Sequence, residues 1–278
     1  MRRVWIIKAN GEKAWYNRRK LFKTCRRSGA STKACNAAIE KVERVLKDGM
    51  RTKDILKIMM GGLEKHAPYH APRYDLKGAI MRLGPAGFHF EKLTAELLQK
   101  YGYSTTTNAE LQGKCVKQEV DIIAIKNKKC HMIECKFHHQ SGIYTGLKET
   151  MYTWARFEDL VDGYKTGTCD KFHVPWLISN TKFSNAAMQY GPCKGVKITG
   201  WQHPAGESYQ DLLEKKDLYP ITSIKITRQA LASFAKGNIM FLRDLCELSE
   251  NEVMKRTKLG RHQLNKYRDL AGKILNTC

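Results

Sequence analysis

Acidic residues are scarce in this sequence: 27 Asp and Glu stand against 49 Lys and Arg in 278 residues, a formal net charge of +22. Such an excess exceeds what solubility needs and points to a polyanionic partner, nucleic acid or nucleotide. Long apolar runs are missing as well. Nowhere do about 18 consecutive apolar residues occur, which excludes a spanning helix, and the opening MRRVWIIKANGEK turns polar too soon for a signal-peptide core. The expectation is a soluble, cytoplasmic protein with no membrane partner. The nine cysteines are odd in number and scattered, and no CxxC pair occurs, so neither a disulfide framework nor a zinc ribbon is indicated and reduced thiols are expected. There is no internal repeat and no low-complexity tract.

What is present is enough apolar material, 42% of residues, for two or three domains with buried cores. Residues 1–89 hold 21 Lys/Arg against 7 Asp/Glu, so +14 of the +22 lies in the first third. There VWIIKANGEKAWY alternates around Asn10-Gly11, a hairpin signal. Three helical segments follow, closing on Gly29, on Gly49 and near His66, the second opening at a Ser/Thr cap. Two prolines, a helix and a Gly-Pro breaker put a boundary near Gly84 to Gly87. The next block reads helix, three strands, helix, strand, helix, strand, an α/β pattern with a mixed sheet. Within it, Leu147, Met151, Trp154 and Val161 mark one apolar helical face. From about residue 206 the pattern is helical to the end.

Three charges stand out in strands otherwise bound for a core: Asp121 in EVDIIAI, and Glu134 and Lys136 in CHMIECKF. Left unpaired there, each would cost several kcal/mol, on the order of the penalty for burying an uncompensated charge. Side chains alternate along a strand, so Glu134 and Lys136 face one side and Ile133, Cys135 and Phe137 the other. A turn at Asn127 to Lys129 brings Asp121 and Glu134 roughly opposite. Two carboxylates can hold a hard cation such as Mg²⁺, and a nearby lysine can orient water and stabilise charge on a phosphate. Glu91 supplies a further carboxylate if its helix packs on the same sheet. A buried salt bridge without catalysis is the plain alternative, though buried ion pairs are poor stabilisers. A zinc site of Cys130, Cys135, His138 and His139 is a second, opposed by the differing strand parity of the two cysteines.

Asp121 followed by Glu134-Cys135-Lys136, on this order of helix and strands, resembles the PD-(D/E)xK nuclease superfamily, and Phe88 to Trp201 resembles its Mrr-like restriction endonuclease domain. The resemblance implies a restriction-endonuclease-like α/β (α+β) fold with a mixed central sheet. It further implies Asp121 and Glu134 as ligands for Mg²⁺ or Mn²⁺, Lys136 as catalytic lysine and Glu91 as the helix glutamate. Glu134 stands where Mrr proteins often carry Gln. In residues 1–89, VWIIKANG, Lys20, RTKDI, APRYDLKGAI and LGPAGFHFE resemble, in order, the ATP-cone of ribonucleotide reductases and their repressor. That implies ATP or dATP as a regulatory ligand, with Ile6 at the base, Lys8 and Lys20 on phosphates, and Thr52 at a helix start. Ala9 and Leu56 depart from the family's usual arginine and histidine, and Arg3, Arg18 and Arg19 are candidate substitutes.

The expected organisation is an ATP-cone-like domain over 1–87, a nuclease domain over 88–205 and a small helical domain over 206–278, similar to helix-hairpin-helix units with a turn at Leu259-Gly260. The resemblances imply a nucleotide-regulated endonuclease on double-stranded DNA, in restriction or anti-phage defence, and a homo-oligomer, because one cluster cuts one strand. A nucleotide-sensing DNA-binding regulator with a silent nuclease fold, or a structure-specific repair nuclease, are the alternatives.

Overall fold

The computed structural model describes residues 3–84 and 89–276. The chain folds in the α+β class expected, as two compact units: residues 1–82 with 219–278, and residues 83–218. The span expected as a third domain, 206–278, is thus divided, its first 13 residues belonging to the second unit. Of the boundary expected near Gly84 to Gly87, residues 85–87 lie outside the described residues.

In the first unit, β1 (Trp5–Ile7) and β2 (Lys13–Trp15) form the expected hairpin, turning through Gly11 at φ +85°. After α1 (Arg18–Arg27) and α2 (Thr32–Val45), a two-residue strand too short to leave a pattern, β3 (Met50–Arg51), pairs parallel to β1. Then come α3 (Thr52–His66), α4 (Ala71–Tyr74) and α5 (Leu76–Met81). Ser31 is the expected Ser/Thr cap, accepting from the Ala34 N–H at 3.2 Å, and Asn17 caps α1 by accepting from the Lys20 N–H at 2.8 Å. Cys25, Ala38, Ile39, Val42, Ile55, Met59 and Leu63 make the core. Helices α2 and α3 touch so closely that a Cβ on Gly62 would lie 2.8 Å from the Ala38 backbone, which only glycine permits. Cys25 and Cys35, with Cα atoms 5.8 Å apart, are joined by a disulfide, correcting the expectation of reduced thiols: the α1–α2 turn brings together cysteines whose spacing carried no signal.

The second unit opens with α6 (Phe90–Gln99) and continues through β4 (Ser104–Gln112), β5 (Lys117–Lys126) and β6 (Lys129–Lys136). Next are β7 (Tyr144–Thr145), α7 (Leu147–Lys165), β8 (Val174–Ser179), β9 (Lys182–Phe183), α8 (Asn185–Cys193), β10 (Lys197–Thr199) and α9 (Tyr209–Lys215). The main sheet runs β10-β8-β6-β5-β4; β4, β5 and β6 are antiparallel neighbours, and β8 and β10 add in parallel. Asn127 and Lys128, at φ +50° and +61°, make the β5–β6 turn by themselves, leaving Lys129 in the strand.

Helix α7 buries only part of the face expected of it: Trp154 packs against a core cluster and Val161 is half-buried. Leu147 and Met151 are exposed, while Thr150, Thr153, Arg156, Leu160 and Gly163 are buried. Small side chains lie against the sheet together with Leu160, while Trp154 and Phe157 are half-buried against neighbouring core clusters and only Leu147 and Met151 of the expected face are left outside.

The chain then re-enters the first unit, through a 3-10 turn at Ile221–Ser223, α10 (Arg228–Lys236), α11 (Leu242–Glu247), α12 (Glu250–Thr257) and α13 (Arg261–Leu275). Between α12 and α13, Lys258 is left-handed and Gly260 caps α13. Thr222 joins the two ends of the chain: its hydroxyl donates to the Ala79 carbonyl at 2.7 Å, and its own carbonyl accepts from Arg82. Among the described residues no helix is long and apolar enough to cross a membrane.

Candidate active site

The β5–β6 ladder runs inward from the turn to Ile122↔Ile133, which makes Asp121 and Glu134 the next pair. There the regular pairing of β5 with β6 stops. The β4–β5 ladder also skips the Asn108–Asp121 position, and Asn108 is left-handed at φ +54°. Val120 and Ile123 have opposite parity yet both pack in the cluster around Leu160, so β5 changes face at Asp121. With the ladder broken, the Asp121 carboxylate takes over: its Oδ2 accepts from the Cys135 N–H at 2.7 Å.

This fixes one carboxylate beside the other, and the electrostatics register it. Burial, then repulsion from Asp121, raises Glu134 to about 7, against the opposing pull of Arg156 and Lys136. Asp121 is also raised, first by burial and then by the charges of Glu91 and Glu119, which outweigh the Cys135 hydrogen bond and Arg156. Glu91, at the second position of α6, is therefore within electrostatic reach of the pair; its Oε1 lies 3.3 Å from His89 Nδ1. Helix α6 is held there by Phe90, whose ring centroid is 5.4 Å from that of Phe137 just beyond β6. Lys136, the last residue of β6, adds its charge to Glu134, and its ammonium has no hydrogen-bond partner among the described residues.

The residue that sequence reasoning missed is Arg156. It is buried, ion-pairs through Nη1 with Glu134 Oε2, donates from Nε to Gln118 Oε1 at 3.2 Å and lies 5.2 Å from the Tyr152 ring. Gln118 is oriented in turn by Asp159, at 2.7 Å. The only sequence signal was a charged residue at helical spacing with Thr150, Thr153 and Leu160, a face that looked too polar to be buried. Because Arg156 is the largest influence lowering Glu134, Arg156→Gln is expected to raise the Glu134 pKa further above 7, as carboxyl NMR titration of the metal-free chain will register.

Cys135 points the other way, as parity required: its thiol meets the Thr94 hydroxyl of α6, and burial with the surrounding carboxylates pushes it well above the ordinary thiol range. Cys135→Ala, which keeps the backbone N–H that Asp121 accepts from, is therefore expected to cost about 1 kcal/mol in urea melts and to leave the raised Glu134 pKa in place in carboxyl NMR titration. Among the described residues no group of three or more His, Cys, Asp or Glu side chains is set to hold a metal, the expected zinc alternative included. The donor set that does exist, two mutually repelling carboxylates open to further oxygen ligands, fits a hard cation that keeps several waters, Mg²⁺ or Mn²⁺.

In the first unit, Ile6, Lys8, Lys20 and Thr52 all line one cavity of about 230 Å³, with Leu21, Thr24, Leu56 and Tyr74. Lys8 is paired with Glu12 at 3.0 Å. Arg18, a candidate phosphate ligand, is turned to Glu43 and Asn36 instead.

No family model matches the chain. An uncharacterized protein of Archaeoglobus fulgidus is 44% identical over 159 residues, 57% of this chain and 87% of that protein. The crystal structure of a protein of unknown function, AF1548, aligns with a TM-score of 0.58 at 39% identity, over 67% of this chain and 96% of that one. The structure of Can2 from Sulfobacillus thermosulfidooxidans in complex with cyclic tetra-adenylate covers 74% of this chain and 63% of its own, with a TM-score of 0.29 at 14% identity, a likeness too remote to bear on function.

Proposed function

We propose that this chain, which belongs to the family of the Archaeoglobus fulgidus protein, is a divalent-cation-dependent endonuclease of double-stranded DNA controlled by an adenine nucleotide. The observation that carries the reading is the closeness of Asp121 to Glu134, within reach of the charge of Lys136, where the regular β5–β6 pairing ends. Asp121 and Glu134 would hold Mg²⁺ or Mn²⁺, which when bound neutralises phosphate charge and makes water more acidic. The chain's own groups do the rest. The Cys135 N–H fixes the Asp121 carboxylate, and Arg156 fixes that of Glu134. The unengaged Lys136 ammonium orients a water for attack on phosphorus and stabilises the negative charge that builds on the phosphoryl oxygens as the P–O bond to the leaving group breaks. Glu91 adds a carboxylate at the rim.

Nucleotide control is supported by the convergence of Ile6, Lys8, Lys20 and Thr52 on one cavity, two cations beside apolar walls. One cluster per chain calls for a homo-oligomer to cut both strands. Plasmid DNA incubated with the purified protein and Mg²⁺, with and without ATP or dATP, is expected to be nicked or linearised at a rate that depends on nucleotide. Lys20→Ala is expected to weaken nucleotide binding by about tenfold in calorimetry, the loss of one charged contact. DNA binding with no metal-dependent cutting under any nucleotide would favour the silent-scaffold reading, in which Arg156 merely neutralises Glu134.

A further inference from the structure

The net charge is divided very unevenly. Residues 1–82 and 219–278 carry 32 Lys/Arg against 12 Asp/Glu, a net +20, while residues 83–218 carry 17 against 15, a net +2. The unit with the carboxylate pair is nearly neutral, so attraction for a polyanion is generated in the other.

Its densest point is α1, RRKLFKTCRR, with six basic residues in ten and no acidic one. Arg18 is engaged by Glu43. The other five, Arg19, Lys20, Lys23, Arg26 and Arg27, are exposed, Arg26 also donating to the Ala30 carbonyl at 2.6 Å, and at 3.6 residues per turn they fall within an arc of about 120°. Leu21, Phe22 and Cys25 take the opposite side and pack in the core. This helix is built against its own electrostatics. Arg18, Arg19 and Lys20 crowd the positive end of the helix dipole, and Lys23 stands three or four residues from Arg19, Lys20, Arg26 and Arg27, like-charge spacings that destabilise an isolated helix. Arg19, Lys20 and Lys23 have no ion pair among the described residues. An external anion would remove these repulsions.

We propose that this exposed face of α1 grips the phosphate backbone of a nucleic acid, and that the unit bearing it, rather than the carboxylate unit, supplies most of the affinity. From Arg19 to Arg27 the stripe runs about 12 Å along the helix, enough to meet a few phosphates of one strand. A membrane surface does not suit it, because a helix that inserts needs a free apolar side and that of α1 is spent on the core. Lys20 lies both on the stripe and in the cavity wall, so the gripping surface adjoins the proposed nucleotide site. The inference rests on the nuclease reading only for choosing nucleic acid as the polyanion.

The test is binding of a labelled 25-base-pair duplex to the full chain, without metal, across a range of salt, so that binding and cleavage succeed or fail separately. Arg19→Glu with Lys23→Glu is expected to weaken binding at least tenfold and to flatten the log–log salt slope by about 2, the loss of two phosphate contacts. Lys114→Glu with Lys148→Glu, which changes net charge equally on the other unit, is expected to change affinity less than threefold. Arg19→Gln with Lys23→Gln, which carries no new repulsion, should show the same reduction in slope, and unchanged thermal melts will show that both pairs remain folded. Unaltered affinity in the α1 variants, an equal loss in the Lys114 and Lys148 variant, or binding of phosphatidylserine vesicles in place of duplex would overturn the proposal.

Discussion

Lys136→Ala and Asp121→Asn are each expected to slow Mg²⁺-dependent cleavage of plasmid DNA by about 10²–10³-fold, the typical cost of removing one preorganised electrostatic group from an active site. The two act differently. Lys136 has no hydrogen-bond partner among the described residues, so its loss should leave folding stability and cation affinity nearly untouched and fall on the rate at saturating Mg²⁺. Asp121→Asn keeps an acceptor for the Cys135 N–H but removes one of two charges, so the cation should bind more weakly and part of the rate should return at high Mg²⁺. Cutting at the wild-type rate in both variants would sink the nuclease reading. A loss that is identical in its Mg²⁺ dependence would refute the separate roles.

The second large effect is a pH dependence of stability in the metal-free chain. Burial and Asp121 hold Glu134 at about 7, above its ordinary 4.5. Between those values the native chain keeps a proton that the unfolded chain has released, so stability falls as pH rises through this window and is level above it. The shift corresponds to roughly 3 kcal/mol. Glu134→Gln cannot titrate. In chelator, its stability relative to the wild type is therefore expected to climb by roughly 3 kcal/mol between pH 4 and pH 8, read from urea melts at each pH. Mg²⁺ should oppose the trend in the wild type alone, because a cation favours the ionised carboxylate and binds more tightly as pH rises through 7. A constant difference between the two proteins would mean that Glu134 is not held out of its ordinary range.

Much of the local structure was readable in the chain. Asn10-Gly11, the Ser/Thr cap at Ser31 and the place of the β5–β6 turn, though one residue shorter than expected, follow from local backbone preferences that the fold does not override. The facing of Asp121 and Glu134 followed from counting back from that turn, and the opposed direction of Cys135 from strand parity. Ile6, Lys8, Lys20 and Thr52, which only the resemblance to the ATP-cone singled out, line one cavity.

Other features depend on residues far apart in the chain and left no periodic trace. The face of α7 was partly misread: Trp154 does pack on a core cluster, but Leu147 and Met151 outweigh Thr150 and Thr153 on any hydropathy scale, whereas the sheet selected the two threonines and the arginine that meets Glu134. The change of face at Asp121 belongs to a break shared by β4 and β5 at Asn108, and neither strand shows it alone. The Cys25–Cys35 bond needed the α1–α2 turn, and the joining of residues 219–278 to 1–82 needed contacts such as Thr222 with Ala79. By itself, then, the sequence determined turns, caps, strand parity, the sign of the charge and the residue types able to meet a phosphate, since all of these are properties of neighbours along the chain. Only the tertiary structure decided which side of each element is buried and which distant charges share a low-dielectric site, because those choices depend on the packing of the elements against one another.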